Sequence, residues 1–451
     1  MVDFLCHFNG LFCNFGSKID TNLYYMRKST QLTMIITAAL LMGAVSCSTE
    51  VYDEKKHEEL IKYVSPVDSV DQQHTWQLTT NQTYSVSVGD GGGTQRVEFY
   101  NSNPVSQTDA ELMGRVFATD GQTVNISLSI PSIQNVVYAA LVDGDGKMTI
   151  TPFNKTKTEI DFLHPTFTKA SPVLSTPQPM AYTYCYEENF PEPGDYDYND
   201  AVMRISVERT AEKVMSIGVT LSAVGASRQI AGAIRLVGYD YEDIDSIVTR
   251  EGKTFNENVP QPSYGILEND DIMLKGRNGE AVINLFVDAH WSMDILQETL
   301  YGNLTRKKYN VSKNISDTYE LVFAKTVVYD VHFKDASALN HFTLDSLDPF
   351  IMSYYIGNKM EIHTDEFAAA QTLYNYNVLS FKDLPWALKI PTRYFRYPLE
   401  GCEIGFRKKT SDGTSAMFGA YMTKGHSFGE WAENHNDFLD WYQYPTENQV
   451  W

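Results

Sequence analysis

Asp195, Asp197 and Asn199 stand two residues apart, with a tyrosine between each pair, inside Tyr186-Glu187-Glu188-Asn189-Phe190-Pro191-Glu192-Pro193-Gly194-Asp195-Tyr196-Asp197-Tyr198-Asn199-Asp200. Carboxylate and amide oxygens at this 1,3,5 spacing are what calcium loops supply, since the ion takes about six to eight hard oxygens. Glu187 and Asp200 can complete such a shell. The candidate calcium site is therefore Asp195, Asp197, Asn199, Asp200 and Glu187. It is not an EF-hand: Asp200 stands where that loop needs glycine, Ser206 where it needs the closing glutamate, and a strand pattern follows instead of a helix. The same side chains can also act without an ion, as Asx-turn caps on backbone amides with Tyr196 and Tyr198 packed between them.

The element that must position these oxygens follows at once. Met203, Ile205 and Val207 alternate with Arg204, Ser206 and Glu208, the period of a half-buried strand. Pro191, Pro193 and Gly194 mark the turn that leads into it. Other alternating runs lie on both sides, among them Thr123 to Ile130, Val136 to Val142, Val214 to Ala223, Ile230 to Tyr239 and Val327 to Phe333. Short strands parted by turn residues, with little helical periodicity, give an all-β chain: a small N-terminal β-sandwich followed by a larger β-sandwich or jelly-roll-like domain with few short helices. The small sandwich is expected over 64–160, a Pro-, Ser- and Thr-rich linker over 161–180, and the larger domain over 181–451. A short amphipathic helix is expected around Phe428 to Asn434.

The beginning of the chain carries an address. Met26-Arg27-Lys28 is a basic start, Leu32 to Val45 an apolar run, and Ser46-Cys47 closes it, which is the order of a secretory signal. The run falls short of the about 20 apolar residues of a membrane span. Ala44-Val45-Ser46-Cys47 resembles a bacterial lipobox, with Ala44 where leucine is commonest, so Cys47 is the expected lipidation site. Residues 26–46 are then the signal peptide, 1–25 an upstream extension, and 47–63 a charged tether. The expected location is the cell envelope, as a surface-exposed outer-membrane lipoprotein.

Without residues 1–46 the chain keeps 33 Lys and Arg against 55 Asp and Glu. That balance excludes nucleic acid, whose phosphates need a basic stripe. Beyond Cys47 only Cys185 and Cys402 remain, so there is no disulfide framework; the two could pair in an oxidising compartment, but two buried free thiols are the expectation.

A set of ordered motifs adds a resemblance. Tyr186-Glu187-Glu188, Gly194 to Asp200, Val224-Gly225-Ala226-Ser227, Asp348-Pro349-Phe350-Ile351, Leu384-Pro385-Trp386-Ala387-Leu388, Tyr397-Pro398-Leu399-Glu400, Ala420-Tyr421, Phe428-Gly429-Glu430-Trp431-Ala432 and Asp440-Trp441-Tyr442 fall in the order seen in the LruC-type domain. Tyr186 and Glu188 stand where that family has Phe and Asp. The resemblance covers about residues 181–451 and implies an all-β domain of unknown function on a bacterial envelope lipoprotein. It brings no catalytic residues.

Catalytic patterns are weak. Gly425-His426-Ser427-Phe428-Gly429 has the spacing of a nucleophile elbow, but no histidine lies beyond Asp437 and no parallel α/β sheet is expected, so a loop before the Trp431 helix explains it. No pair among the many acids is singled out for glycoside hydrolysis. The expected function is a non-catalytic binding or adhesion module, stiffened by calcium, with a glycan or protein ligand. A glycan-processing enzyme and a purely structural envelope component are the alternatives.

Overall fold

Alternation of apolar and polar side chains recurs along most of the chain, and it is satisfied by sheets stacked face to face. The computed structural model describes residues 67, 69–89, 93–143, 146–164, 176–191, 194–260, 271–300, 303–355, 358–367, 384–409 and 415–451. Ile61–Trp451 make up one compact unit. Cys47, the signal segment and the charged tether lie outside the described residues.

The first strands are β1 (Thr79–Val88), β2 (Thr94–Tyr100), β3 (Glu111–Thr119), β4 (Thr123–Pro131), β5 (Val136–Val142), β6 (Met148–Asn154), β7 (Glu159–Phe162) and β8 (Gln178–Pro179). They form two sheets, ordered β4-β1-β7 and β6-β5-β2-β3-β8. Tyr84, Val86, Val97, Phe99, Ile126, Leu128 and Leu141 belong to the buried cluster they share. The stretch expected as a linker begins in β7, which runs parallel to β1, and ends in β8, which runs parallel to β3; 165–175 lie outside the described residues.

The second group begins with β9 (Ala181–Tyr186), β10 (Ala201–Ala211), β11 (Val214–Ala223), β12 (Ala231–Asp240), β13 (Ile244–Thr249), β14 (Met273–Lys275) and β15 (Glu280–Phe286). A five-residue helix, α1 (Ala289–Met293), follows, with Asp288 as its N-cap. The short β16 (Glu298–Leu300), β17 (Asn303–Thr305), β18 (Lys308–Tyr309) and β19 (Tyr319–Glu320) lead to β20 (Lys325–Phe333), β21 (Leu347–Tyr355), β22 (Asn358–Ile362) and β23 (Ala387–Ile390). β24 (Phe406–Lys409), β25 (Ser415–Phe418) and α2 (Phe428–Glu433) complete the series. A six-stranded sheet, β13-β20-β11-β10-β9-β23, and a five-stranded one, β14-β15-β12-β21-β22, are built from these. The protein is all-β, and among the described residues α1 and α2 are its only α-helices.

Tyr182, Tyr184, Met203, Ile205, Ile217, Val219, Tyr329 and Val331 of the larger sheet join Ile234, Leu236, Ile283 and Ile351 of the smaller in one buried cluster, which is continuous with the core of β1–β7. Side chains of one register on each strand thus fill the space between layers, as in any sandwich. On the opposite face of the five-stranded sheet, Arg235 bonds Asp348 at 2.9 Å and Glu280 at 3.0 Å. Asp348 also holds His363 Nδ1 at 2.9 Å. Burial pushes the His363 imidazole down, but Asp348 and Glu361 outweigh it and leave it above its ordinary value.

A second buried cluster gathers Trp76, Cys185, Tyr198, Leu388, Phe395, Tyr397, Tyr421, Phe428, Trp431 and Trp441. α2 presents Phe428 and Trp431 to it. Its first turn is closed by a capping box in which Ser427 accepts from Glu430 N and the Glu430 carboxylate reaches back to Ser427 N. The start of the described chain docks here too: Asp71 N donates to Ala432 O at 2.8 Å, and His74 Nε2 meets Trp431 O at 3.0 Å. Cys185 and Cys402 are free thiols. Trp431 is fully buried, whereas Tyr394 is 68% exposed. Trp431→Ala is expected to cost about 3–5 kcal/mol in denaturant unfolding, while Tyr394→Ala stays within about 0.5 kcal/mol.

Candidate functional site

β9 and β10 are antiparallel neighbours, with Tyr186 opposite Ala201. The chain between them makes the acidic turn, and its neck is closed twice: Asp200 N donates to Tyr186 O at 3.1 Å, and Glu188 N to Asp200 Oδ2 at 2.6 Å. Tyr196 and Tyr198 hold φ of +57° and +50°. Left-handed backbone at such residues costs about 1–3 kcal/mol each and persists only where the surroundings impose it. Those surroundings are explicit. Tyr198 donates through its OH to Pro385 O at 2.8 Å and through its N to Glu187 Oε1 at 2.7 Å. Tyr196 O accepts from Ile404 N at 2.8 Å, and both rings are buried.

Glu187, Asp195 and Asp197 each bring a carboxylate oxygen within 4.8 Å of the other two. Two oxygens that share a calcium ion at about 2.4 Å can lie no more than about 4.8 Å apart, so this separation permits a common cation. Asp197 Oδ1 accepts from Asn199 N at 3.2 Å, the Asx-turn expected from its sequence, and Oδ2 accepts from Gly401 N at 2.7 Å. Glu187 is 1% exposed, yet its Oε2 has no hydrogen-bond partner among the described residues. That oxygen faces Gly194, where a Cβ would stand 1.9 Å away. Glycine is needed there for close approach.

Asn199 and Asp200 brace the turn, and the buried Asn199 Oδ1, like Glu187 Oε2, has no hydrogen-bond partner among the described residues. After Tyr198 the chain is already rejoining the sheet, and Asn199 O and Asp200 O accept from Gly225 N at 2.9 and 3.1 Å. Asn199 Nδ2 donates to Pro398 O at 3.2 Å, and its Oδ1 lies against Gly225, whose Cβ would come within 2.0 Å. Asp200 caps Glu188. The carboxylate that joins Asp195 and Asp197 is thus Glu187, from the end of β9 rather than from within the run of alternate residues.

Burial pushes the carboxyls of Glu187, Asp197 and Asp200 well above their ordinary range, and neighbouring carboxylates push the same way: Asp200 and Asp197 on Glu187, Asp195 and Glu400 on Asp197, Glu188 and Asp197 on Asp200. Backbone N–H groups resist this but do not reverse it. Glu188 is held by Ser227 N at 2.9 Å and Arg228 N at 3.1 Å. Lys308, beside the turn, is paired with Glu400. Glu188, Glu400, Gly401 and Lys308 were not among the sequence-derived site residues. Their one signal was that Glu188 and Glu400 sit inside the quoted motifs.

Several of those motifs meet at the turn. Tyr186 OH donates to Pro349 O at 2.6 Å, Glu187 N to Trp386 O at 3.0 Å, and the segments at 224–227, 385 and 397–401 supply the bonds already given. The elbow-like Ser427 is a helix cap: its hydroxyl donates to Glu430 Oε2 at 2.8 Å, and His426 pairs with Asp440.

Two stacked-sheet layers with a buried acidic turn at the mouth of a strand pair define a non-helical module organised around that turn. The chain belongs to the family described as Domain of unknown function (DUF4842), whose model matches residues 213–442. The matched span holds the segments that wrap the turn; the turn itself precedes it. The crystal structure of a "Putative lipoprotein" from Bacteroides ovatus is similar over 79% of this chain and 98% of that one, at 15% identity and a TM-score of 0.45. No curated protein matches the sequence. Among the described residues no helix is long and apolar enough to cross a membrane.

A carboxyl raised in the folded state contributes stability that is complete below its unfolded value, 4.5 for Glu187 and 3.8 for Asp197, and is lost as pH rises through the folded value. In chelator, thermal melts are therefore expected to fall from about pH 4 towards neutrality, and Glu187→Gln to flatten the fall. The difference between the two slopes isolates the turn from His363, which adds its own loss above 6.5. Equal slopes would rule the turn out as the source.

Proposed function

We propose that the chain is a lipid-anchored module of the bacterial envelope, of the LruC type, that binds or adheres without catalysis and whose acidic turn holds calcium. The observation that carries the calcium reading is Glu187 Oε2, buried and without a hydrogen-bond donor, beside Asp195 and Asp197 within 4.8 Å. A buried carboxylate so placed either stays protonated or takes a cation. Protein oxygens at several points of the chain suit calcium, which tolerates irregular shells, better than magnesium, which keeps its waters. The ligands are Glu187, Asp195 and Asp197, with Asn199 and Asp200 holding the turn in shape. The anchor rests on Ala44-Val45-Ser46-Cys47 behind its basic start and apolar run. Outer-membrane placement and surface exposure follow from the same signal and the resemblance. The ligand is a glycan or a protein partner. The absence of catalysis rests on the capped Ser427 and on acids committed to backbone N–H groups at the turn.

Calorimetry of the full chain tests the site. Calcium is expected to raise Tm by several degrees, as a gain of about 2.7 kcal/mol at a hundredfold excess over Kd would do. Glu187→Gln and Asp197→Asn should each abolish the gain; in chelator Glu187→Gln, which keeps an acceptor for Tyr198 N, should be more stable than the wild type, whereas Asp197→Asn loses one of its two acceptors for backbone N–H and should not be. No calcium-dependent shift in the wild type removes the site. Cys47→Ala is expected to end incorporation of labelled fatty acid and to release the protein from the membrane fraction. A variant that stays fully membrane-bound overturns the anchor. Sugar released from a glycan, and lost on a single Asp or Glu substitution, would replace the binding reading with the enzymatic one.

A further inference from the structure

The outer face of the six-stranded sheet carries a second site, far from the acidic turn in its chemistry. On β10, Arg204, Ser206 and Glu208 turn away from the core side chains Met203, Ile205 and Val207. Thr220, Gly218 and Ser216 of β11 stand opposite them, and Thr326, Val328 and Asp330 of β20 continue the rows. Most of these residues floor a groove of 710 Å³. Arg250, after β13, lines it at one edge of the sheet, and Arg393, Tyr394 and Arg396, after β23, line it at the other together with Trp451. Gly218 keeps the floor low, since a Cβ there would come 2.8 Å from Ser206 Oγ.

The charges in this groove do not close. Arg250 has Asp330 at 2.6 Å, Arg393 has Glu111, and Arg396 has Glu447 at 2.9 Å. Glu208, on the same row as Arg204, is taken by Arg115 at 3.0 Å. Arg204 is half-buried, and its Nε is shielded from solvent without a hydrogen-bond partner among the described residues. In a chain with 57 acidic against 36 basic residues, an arginine left without an acid on a sheet face is the reverse of what composition favours. A partly desolvated guanidinium is costly alone and is matched by a planar carboxylate, which it can grip with two parallel N–H donors. Hydroxyls of Ser206, Thr220 and Thr326 line the same floor. Tyr394, 68% exposed, and Trp451 offer ring surfaces at the rim.

We infer that this groove binds a carboxylate-bearing saccharide, with Arg204 taking the carboxylate, the floor hydroxyls meeting ring hydroxyls, and Tyr394 covering a sugar face. The volume lies in the range of about 300–1,000 Å³ typical of small-ligand sites, and a concave hydroxylated floor suits an oligosaccharide better than the broad flat contact of a protein. The inference rests on the proposed binding role and names its ligand class; it does not depend on calcium.

Isothermal titration of the full chain with trigalacturonate and with neutral galactotriose, in calcium-free and calcium-containing buffer, tests it. Binding of the acidic sugar at least tenfold tighter than the neutral one is expected. Arg204→Gln should lose at least tenfold, Arg204→Lys should restore only part of it, and Tyr394→Ala should weaken binding severalfold with an unchanged melt. Asp197→Asn should bind as the wild type does, which separates this groove from the acidic turn. Equal affinity for both sugars, indifference to Arg204→Gln in a folded variant, or no binding of either sugar overturns the inference. A glycan array that then captures some other ligand would leave the broader binding role standing, and release of monosaccharide would remove that role instead.

Discussion

Burying carboxylates without bases is the constraint on which the larger sandwich depends. Glu187, Glu188, Asp197 and Asp200 are all nearly or wholly removed from water at the neck between β9 and β10. Each such group is tolerable only where donors reach it or where it stays neutral. The donors come mostly from backbone N–H groups of distant segments: Tyr198 to Glu187, Ser227 and Arg228 to Glu188, Gly401 to Asp197, with Glu188 itself bonding Asp200. Side chains cannot supply these bonds at will, because a backbone donor is fixed by the path of its chain. The acids therefore dictate where the segments at 224–228 and 397–401 run, and the left-handed tyrosines are the local cost of that arrangement.

The same economy of polar groups separates the two faces of the six-stranded sheet. Inward positions of β10 and β11 are apolar apart from Arg209 near the end of β10, so the other polar side chains of those strands are displaced to the other face. There hydroxyls and arginines accumulate, and the sheet edges raise their own loops around them. An antiparallel sheet with one solvated face carries its polar residues there. Here Arg250, Arg393 and Arg396 have acids beside them and Arg204 does not.

Much of the layer structure was legible in sequence. The run from Met203 to Glu208, the strand Val136–Val142 and the helix behind Ser427 all declare themselves in the pattern of apolar and polar residues. β3 did not. Gly114 and Arg115 interrupt its apolar positions, and Gly114 is there because the Leu128 side chain presses on it, a contact between strands that no local pattern records. The acidic turn was visible as a concentration of oxygens, and its Asx-turn was foreseeable from Asp197. What sequence could not supply was which oxygens meet. Alternate spacing grouped Asn199 with Asp195 and Asp197 and left open whether Glu187 or Asp200 joins them; the fold brings the Glu187 carboxylate to Asp195 and Asp197 and ties Asn199 Nδ2 to Pro398 O. Arg204 read as an ordinary solvent-facing residue of an alternating strand, because the lack of a partner is a property of space and not of spacing.

The docking of Asp71 and His74 onto α2 has a mechanical side. The described chain does not pass from its first residues straight into β1; it is first fastened to Ala432 and Trp431, deep in the aromatic cluster that also grips Cys185 and Leu388 of β9 and β23. Traction applied upstream of Val67 would therefore be taken up by the stacked indoles and the sheet edge behind them, in shear, before any of it could peel β1 from β4.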